Sequence, residues 1–425
     1  MYYSFRKPGK VKGSQYMTLN SGKLTIALVL NCLSFCAFAE NELLNNAIQS
    51  IVDGYLAKEG KREASTGVAV SISYPKGNRR IQQSYFAGKT SQQPDAQPIG
   101  KDTLFDIGSI TKSYTAALIL QLEDEGFLTI NDPIGKWLPQ YPKWKNVTIK
   151  QLLNMTSGIP NYSATPKFSD YLQDNLTAEY KPEFLLSFAY PDKPIVSGKK
   201  FEYSNSNYVL ASLIIEANTQ ENFANLLQKR LLKPLDLHST FYAAGPNWKT
   251  INQTLLPRKA HGYYYDYKTK TLYDLTNVNA SWGGAAGAIV SNTTDQLKWV
   301  DELYQGKLFS EKNRGRLLKE LKSLVSMKNG QAIKTVDKND PAAFGLGVAL
   351  GYTHNQRFWF YEGSSLGYRM MYIWKPCSNI SVLAALNSKG GENDPDSPAG
   401  DHIKDLLFSI YKKIIDANPE LICKD

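Results

Sequence analysis

Cysteine, histidine and clustered charge are what this 425-residue sequence has little of. Its four cysteines (Cys32, Cys36, Cys377 and Cys423) are too few for a disulfide scaffold. The four histidines (His238, His261, His354 and His402) stand far apart, with no HExxH or HxH spacing, which argues against a zinc enzyme. No Lys/Arg-rich run is interleaved with aromatic residues, so nothing points to nucleic acid as a partner. Neither an internal repeat nor a low-complexity linker is present. With 42% hydrophobic and 21% charged residues, the composition excludes wholesale disorder, collagen and coiled coil. The length suits one large domain, or two smaller ones sharing a core.

The positive charge is uneven. Lys and Arg number 49 against 39 Asp and Glu, a formal +10, but residues 1–39 hold five basic side chains and no acid, and without them the charge falls to +5. That segment reads as a secretory signal: basic residues, an apolar stretch from Leu24 to Phe38 broken by Asn31, then Ala37-Phe38-Ala39 as a small-x-small cleavage site before Glu40. The stretch is short for a membrane span; an uncleaved anchor is the alternative. Met17 is a second candidate start, and Phe35 makes lipidation of Cys36 a minor option. The expectation is an exported protein, periplasmic or secreted, with a mature chain of residues 40–425 and no stable membrane span after cleavage. Only Cys377 and Cys423 then remain. In an oxidising compartment they could pair, tying the C-terminal tail to a strand near Cys377; two unpaired thiols are the alternative.

Hydrophobic periodicity gives the organisation. Leu44, Ile48, Ile51, Val52 and Tyr55 fall on one face of a helix over 42–58. Val68, Val70, Ile72 and Tyr74 alternate as a strand, and a turn at Pro75–Asn78 leads to a second strand over 81–87. Near the other end, 357–361, 368–374 and 380–386 read as three strands joined by turns at 363–367 and 375–379, followed by a helix carrying Ile403, Leu406, Leu407, Ile410 and Ile414. Both chain ends thus offer strands and a helix. This predicts an α+β fold: one antiparallel sheet built from both ends (about 40–100 and 281–425), terminal helices on one face, and a mostly helical inserted region (about 101–280). Within that region, 112–125, 148–155 and 207–216 read as helices.

Two short motifs carry chemistry. Ser109-Ile110-Thr111-Lys112 is S-x-x-K at a helix start, and residues three apart share a helix face, so hydroxyl and amine point into one space. A serine needs a base before it attacks a carbonyl, and a lysine serves as one only where burial or a neighbouring cation lowers its pKa. The bland alternative is a capping serine beside a solvated lysine. Tyr203-Ser204-Asn205 lies on a loop just before a helix. A tyrosine there can relay a proton, and Asn205 can turn its amide to the same cleft; the alternative is Asn205 as a helix cap.

Taken together and in order, these motifs resemble the serine β-lactamase and penicillin-binding protein superfamily, most of all the class C β-lactamase, D-Ala-D-Ala carboxypeptidase and esterase type. Supporting stretches are 128–134, 149–160, 232–237 and 287–291, and the resemblance covers about residues 42–412. It implies a β-lactamase/transpeptidase-like fold over residues 40–425, no cofactor, and an acyl-enzyme mechanism. Ser109 is then the nucleophile, Lys112 and Tyr203 move its proton, and Asn205 positions the substrate amide. The backbone N–H groups of Ser109 and of Ser364, on an edge strand, form the oxyanion hole.

The sequence departs from the family on that strand. Tyr361-Glu362-Gly363 stands where the family carries Lys-Thr-Gly or His-x-Gly: Gly363 fits, but Tyr361 replaces the basic residue and Glu362 the hydroxyl residue. With Tyr361, Glu362 and Gly363 lining the substrate site, the missing cation disfavours an anionic substrate there. The expected function is an exported serine hydrolase acting on D-amino-acid peptides of the D-Ala-D-Ala carboxypeptidase kind, or on related amides and esters. The partner is a small molecule or a peptidoglycan peptide. A β-lactamase proper and a catalytically inactive binding or sensing protein on the same fold are the alternatives. Three glycine-rich stretches compete weakly. Residues 363–367 match the G-x-S-x-G nucleophile elbow, but a strand is expected to follow rather than a helix. Residues 345–351 read as a strand or turn rather than a dinucleotide loop, and 283–287 as close backbone packing beside the cleft.

Overall fold

A computed structural model describes residues 41–191, 198, 200–390 and 402–423; the expected secretory segment, residues 1–39, lies outside them. Residues 41–47 are helical, and residues 48–59 form a helix (α1). The hairpin Gly67–Lys76 (β1) and Arg79–Gly88 (β2) follows, with Gly77 at φ +57 in its turn. Later strands are Leu324–Ser326 (β3), Ala332–Ile333 (β4), Ala342–Phe344 (β5), Ala349–Thr353 (β6), Gln356–Ser364 (β7), Arg369–Lys375 (β8) and Ile380–Leu386 (β9). They form one nine-stranded sheet in the order β2-β1-β9-β8-β7-β6-β5-β3-β4. All its neighbours are antiparallel, and the register Val70↔Ala384 joins the two ends of the chain as expected.

Alternation decides which faces of the sheet meet what. Ser73 and Ser381 donate to Asp301 at 2.8 and 2.7 Å, so one face meets the helix Thr293–Gln305. On the other face Phe358 packs edge-on against Phe408 and Tyr411 of the helix Ile403–Ala417. Strands β1, β8 and β9, covered on both faces, are accordingly buried almost throughout.

Between residues 101 and 280 the long helices are Thr111–Asp124 (α2) and Ser206–Thr219 (α3), with shorter ones between. Helix α2 is buried on nearly every side, as its Ala-Ala-Leu-Ile-Leu run requires. It is fixed to Thr293–Gln305 by Tyr114 stacked 3.7 Å from Trp299 and by Trp299 Nε1 donating to Ser113 Oγ at 2.8 Å. Cys377 and Cys423 are joined in a disulfide that ties the turn after β8 to the segment after the last helix.

The structure corrects two readings. Strands β3 to β6 widen the sheet beyond what the sequence displays, because runs of two to five residues are too short to show alternation. Strand β7 runs on through Gly363 and Ser364, which read as a turn. Gly363 is required there by contact: a Cβ would lie 1.8 Å from the Ile107 carbonyl oxygen and 2.9 Å from Ser109 N. Gly108, at φ +51, meets Ser364 in the same way, its Cβ position 2.7 Å from Ser364 N. Two strips of backbone, 107–109 and 363–364, therefore touch directly. Gly363→Ala is expected to force them apart at a cost of about 3 kcal/mol or more, read as a lowered thermal midpoint; an unchanged midpoint would refute the contact.

Candidate active site

Ser109 sits in a single 3-10 turn, Gly108–Ile110, that runs directly into α2. The turn places Ser109 one helical step before Lys112, and the two side chains do meet: Lys112 Nζ donates to Ser109 Oγ at 3.0 Å. Tyr203 comes from the loop before α3, and its phenol oxygen lies 2.8 Å from the same Oγ. The Lys112 ammonium also lies 4.9 Å from the centre of the Tyr203 ring. Hydroxyl, amine and phenol thus share one crevice. A fourth group closes it: Tyr361, on β7, has its hydroxyl 3.3 Å from that of Tyr203.

The electrostatics follow from burial. Lys112 is fully buried, which lowers its pKa, and the facing Tyr203 only partly restores it. Burial alone would raise the Tyr203 pKa. The Lys112 charge and hydrogen bonds from Lys112, Ser109 and Tyr361 outweigh it, so the phenol titrates below its ordinary value. As a residue Tyr203 is 38% exposed, and its hydroxyl meets those of Ser109 and Tyr361. Tyr361 moves the other way: burial and the nearby Tyr203 push its pKa well up, so it stays a neutral phenol able to donate to its neighbour. An amine with a depressed pKa and a phenol with a depressed pKa, both within reach of one hydroxyl, can remove that hydroxyl's proton.

The remaining expected residues fall around this cluster. Ser364 is the last residue of β7. That strand is internal to the sheet rather than an edge strand, but its pairing with β6 ends at Phe360, so Tyr361–Ser364 overhang their neighbour. The overhang is locally an edge, and it brings the Ser364 backbone onto Gly108, next to Ser109. Asn205 does not cap α3 through its side chain. Its backbone N–H donates to Asn161 Oδ1 at 3.0 Å, and its Nδ2 to Ser163 Oγ at 2.8 Å. The pleat of β7 directs Tyr361 and Gly363 to one face and Glu362 to the other, so the Glu362 carboxylate does not join Tyr361 at the hydroxyl cluster. Arg369 does not replace the missing cation either. It is fully buried and pairs with Glu63 at 2.7 Å, on the Glu362 side of the sheet.

Sequence reasoning missed several contributors. Ala286 supplies a backbone carbonyl that accepts from Lys112 Nζ at 2.8 Å, so the 283–287 stretch helps to hold the lysine. Phe344 of β5 lines the crevice, its ring 5.6 Å from Tyr361 and 6.4 Å from Tyr203. Gly347, in the turn after Phe344, lets that turn approach the Lys112 backbone, where a Cβ would lie 2.8 Å from its carbonyl oxygen. Only the glycines gave a signal, and a glycine does not say what it approaches. After Gly367 comes β8, a strand, so the G-x-S-x-G match is no nucleophile elbow. Among the described residues no group of three His, Cys, Asp or Glu side chains is placed to hold a metal ion, and no helix is long and apolar enough to cross a membrane.

Known proteins resemble this chain in sequence and in fold. Penicillin-binding protein 4* of Bacillus subtilis is 26% identical over 254 residues, covering 57% of this chain and 53% of that protein. Protein flp of Staphylococcus aureus is 26% identical over 358 residues, covering 81% of this chain and 65% of that protein. The chain thus spans about half to two thirds of the length of these curated relatives. Among solved structures, D-amino acid amidase from Ochrobactrum anthropi SV3, complexed with D-phenylalanine, superposes with a TM-score of 0.71 at 24% identity. The match covers 88% of this chain and 99% of that one, a likeness of fold. The sequence profile of the Beta-lactamase family matches residues 50–404, and the chain belongs to that family of serine hydrolases.

Proposed function

We propose that this protein is an exported hydrolase that works through an acyl-enzyme on Ser109, with D-amino-acid peptides or related amides and esters as substrates. The observation that carries the reading is the convergence of Lys112 Nζ (3.0 Å) and Tyr203 Oη (2.8 Å) on Ser109 Oγ. The Lys112–Tyr203 couple takes the proton as Ser109 attacks the carbonyl carbon. The carbonyl oxygen becomes an anion held by the backbone N–H groups of Ser109 and Ser364. The proton then passes to the leaving amine or alcohol as its bond to the acyl carbon breaks. Water, deprotonated by the same couple, releases the acid and returns the proton to Ser109. Asn205 positions the substrate's amide. Export is supported by the basic and apolar residues of 1–39 and by the Cys377–Cys423 bridge.

Tyr361 narrows the substrate. A cation at this position would attract a substrate carboxylate by about 1–4 kcal/mol at contact distance, depending on local polarity. A neutral phenol beside Phe344 offers no such attraction, so among these substrates the amides and esters, whose leaving groups carry no carboxylate, fit better than D-Ala-D-Ala peptides, whose leaving D-alanine carries one. This disfavours a β-lactamase proper. The names of similar proteins, a penicillin-binding protein and a D-amino acid amidase, lie in the same chemical range.

The direct test is intact-mass spectrometry after exposure to a fluorophosphonate, a D-Ala-D-Ala peptide and D-phenylalanine amide. Wild type is expected to gain the phosphonyl mass and Ser109→Ala to gain none; an unlabelled wild type would favour an inactive binding protein. The pH dependence has a definite sign. The rise of kcat/KM with pH is expected below the range where a free phenol ionises. Tyr361→Phe, by removing one hydrogen bond to Tyr203, should move that rise to higher pH, and an unmoved profile would remove Tyr361 from the proton path. Tyr361→Lys should raise turnover of a chromogenic cephalosporin roughly tenfold or more; no gain would count against the charge argument.

A further inference from the structure

Just upstream of the Ser109 turn lies a buried ion pair that the acyl-transfer steps do not use. Asp106 and Lys259 are 5% and 6% exposed, with Lys259 Nζ 2.7 Å from Asp106 Oδ1. The contact is an ion pair that does not have hydrogen-bond geometry. The other carboxylate oxygen, Oδ2, accepts from Ser365 Oγ at 3.2 Å. Asp106 stands three residues before Ser109, and Ser365 one residue after Ser364.

We propose that Asp106, Lys259 and Ser365 are positioning residues that fix the separation of the two backbone N–H groups, of Ser109 and Ser364, facing the substrate oxyanion. This rests on the reading of Ser109 as the nucleophile. The glycine contacts at 108 and 363 let the two backbone strips touch, but steric contact sets only a minimum distance. The Ser365–Asp106 bond supplies the opposite limit, a tether across the same two strips. Lys259 pairs the Asp106 carboxylate at this depth, where an unpaired buried charge would be strongly destabilising. Its ammonium also lies 4.7 Å from the centre of the Tyr368 ring. Tyr368 closes the turn that carries Ser365, through Ser365 N donating to the Tyr368 carbonyl at 2.9 Å, and its hydroxyl donates to the Ala260 carbonyl at 2.7 Å. The segment Lys259-Ala260 therefore holds the turn at its Tyr368 end, while Lys259 pairs with Asp106, which holds Ser365. A buried ion pair is weak evidence of stabilisation in itself. Its placement across the two strips that carry the oxyanion donors is what assigns it a role.

The test uses Ser365→Ala and the neutral double variant Asp106→Asn, Lys259→Met, which leaves no unpaired buried charge. Three quantities are read in the full chain: the thermal midpoint, the rate of fluorophosphonate labelling, and the dissociation constant for phenylboronic acid. The tetrahedral adduct of that acid with a serine places an oxygen where the oxyanion would form. Ser365→Ala is expected to weaken phenylboronic acid binding and slow labelling by about tenfold, and the double variant by up to about 100-fold, with the midpoint nearly unmoved in Ser365→Ala. Wild-type boronate affinity and labelling in both variants would overturn the inference, and so would loss of folding in both, which would make the network a stability element. Failure of wild-type Ser109 to label would instead overturn the hydrolase reading on which the inference rests.

Discussion

Burial of one ammonium group governs the rest of this site. Lys112 lies inside the protein, held by the Ser109 hydroxyl and the Ala286 carbonyl and facing the Tyr203 phenol. A lysine in water keeps its proton at neutral pH and cannot act as a base. Sunk into the interior, it holds the proton less firmly, and the same charge pulls the pKa of the neighbouring phenol down. Each surrounding element contributes to that burial: α2 packed on nearly every side, the 283–287 segment laid against it, and the turn after β5 pressed onto the Lys112 backbone through Gly347.

A second constraint acts on the backbone. The overhang of β7 beyond β6 exposes Tyr361–Ser364 on one side, and the absence of side chains at Gly108 and Gly363 lets this edge meet the Ser109 turn at van der Waals range. In the proposed mechanism side chains provide the base, and the close approach of two backbone strips provides the candidate site for the developing negative charge. Such a site costs no reorganisation when charge appears, because its dipoles are already in place.

Tyr361 is where this chain parts from the family pattern. A phenol replaces a cation, keeps its proton, and becomes a hydrogen-bond partner of Tyr203 rather than a point of attraction for a carboxylate. The pleat removes Glu362 from that cluster and the Glu63 pair occupies Arg369, so neither neighbouring charge takes over the lost role.

Local order alone determined a good part of this. Ser109 and Lys112 converge because residues three apart on a helix share a face, and the two ends of the chain meet because their alternating strands each need a partner. The pairing of Cys377 with Cys423, an expectation from their number, is present. What lay beyond the sequence depends on contacts between distant segments. The strands of 324–353 are too short to announce themselves. Gly363 reads as a turn until Ile107 is seen against it, and a backbone carbonyl such as that of Ala286 leaves no trace in residue type. The charge of Glu362 is plain in the sequence, but the face it occupies is set by strand register. Tyr203 is 94 residues from Ser109, and only the fold brings its hydroxyl within hydrogen-bonding distance, since periodicity speaks for neighbours along the chain and tertiary packing alone decides which of them share a crevice.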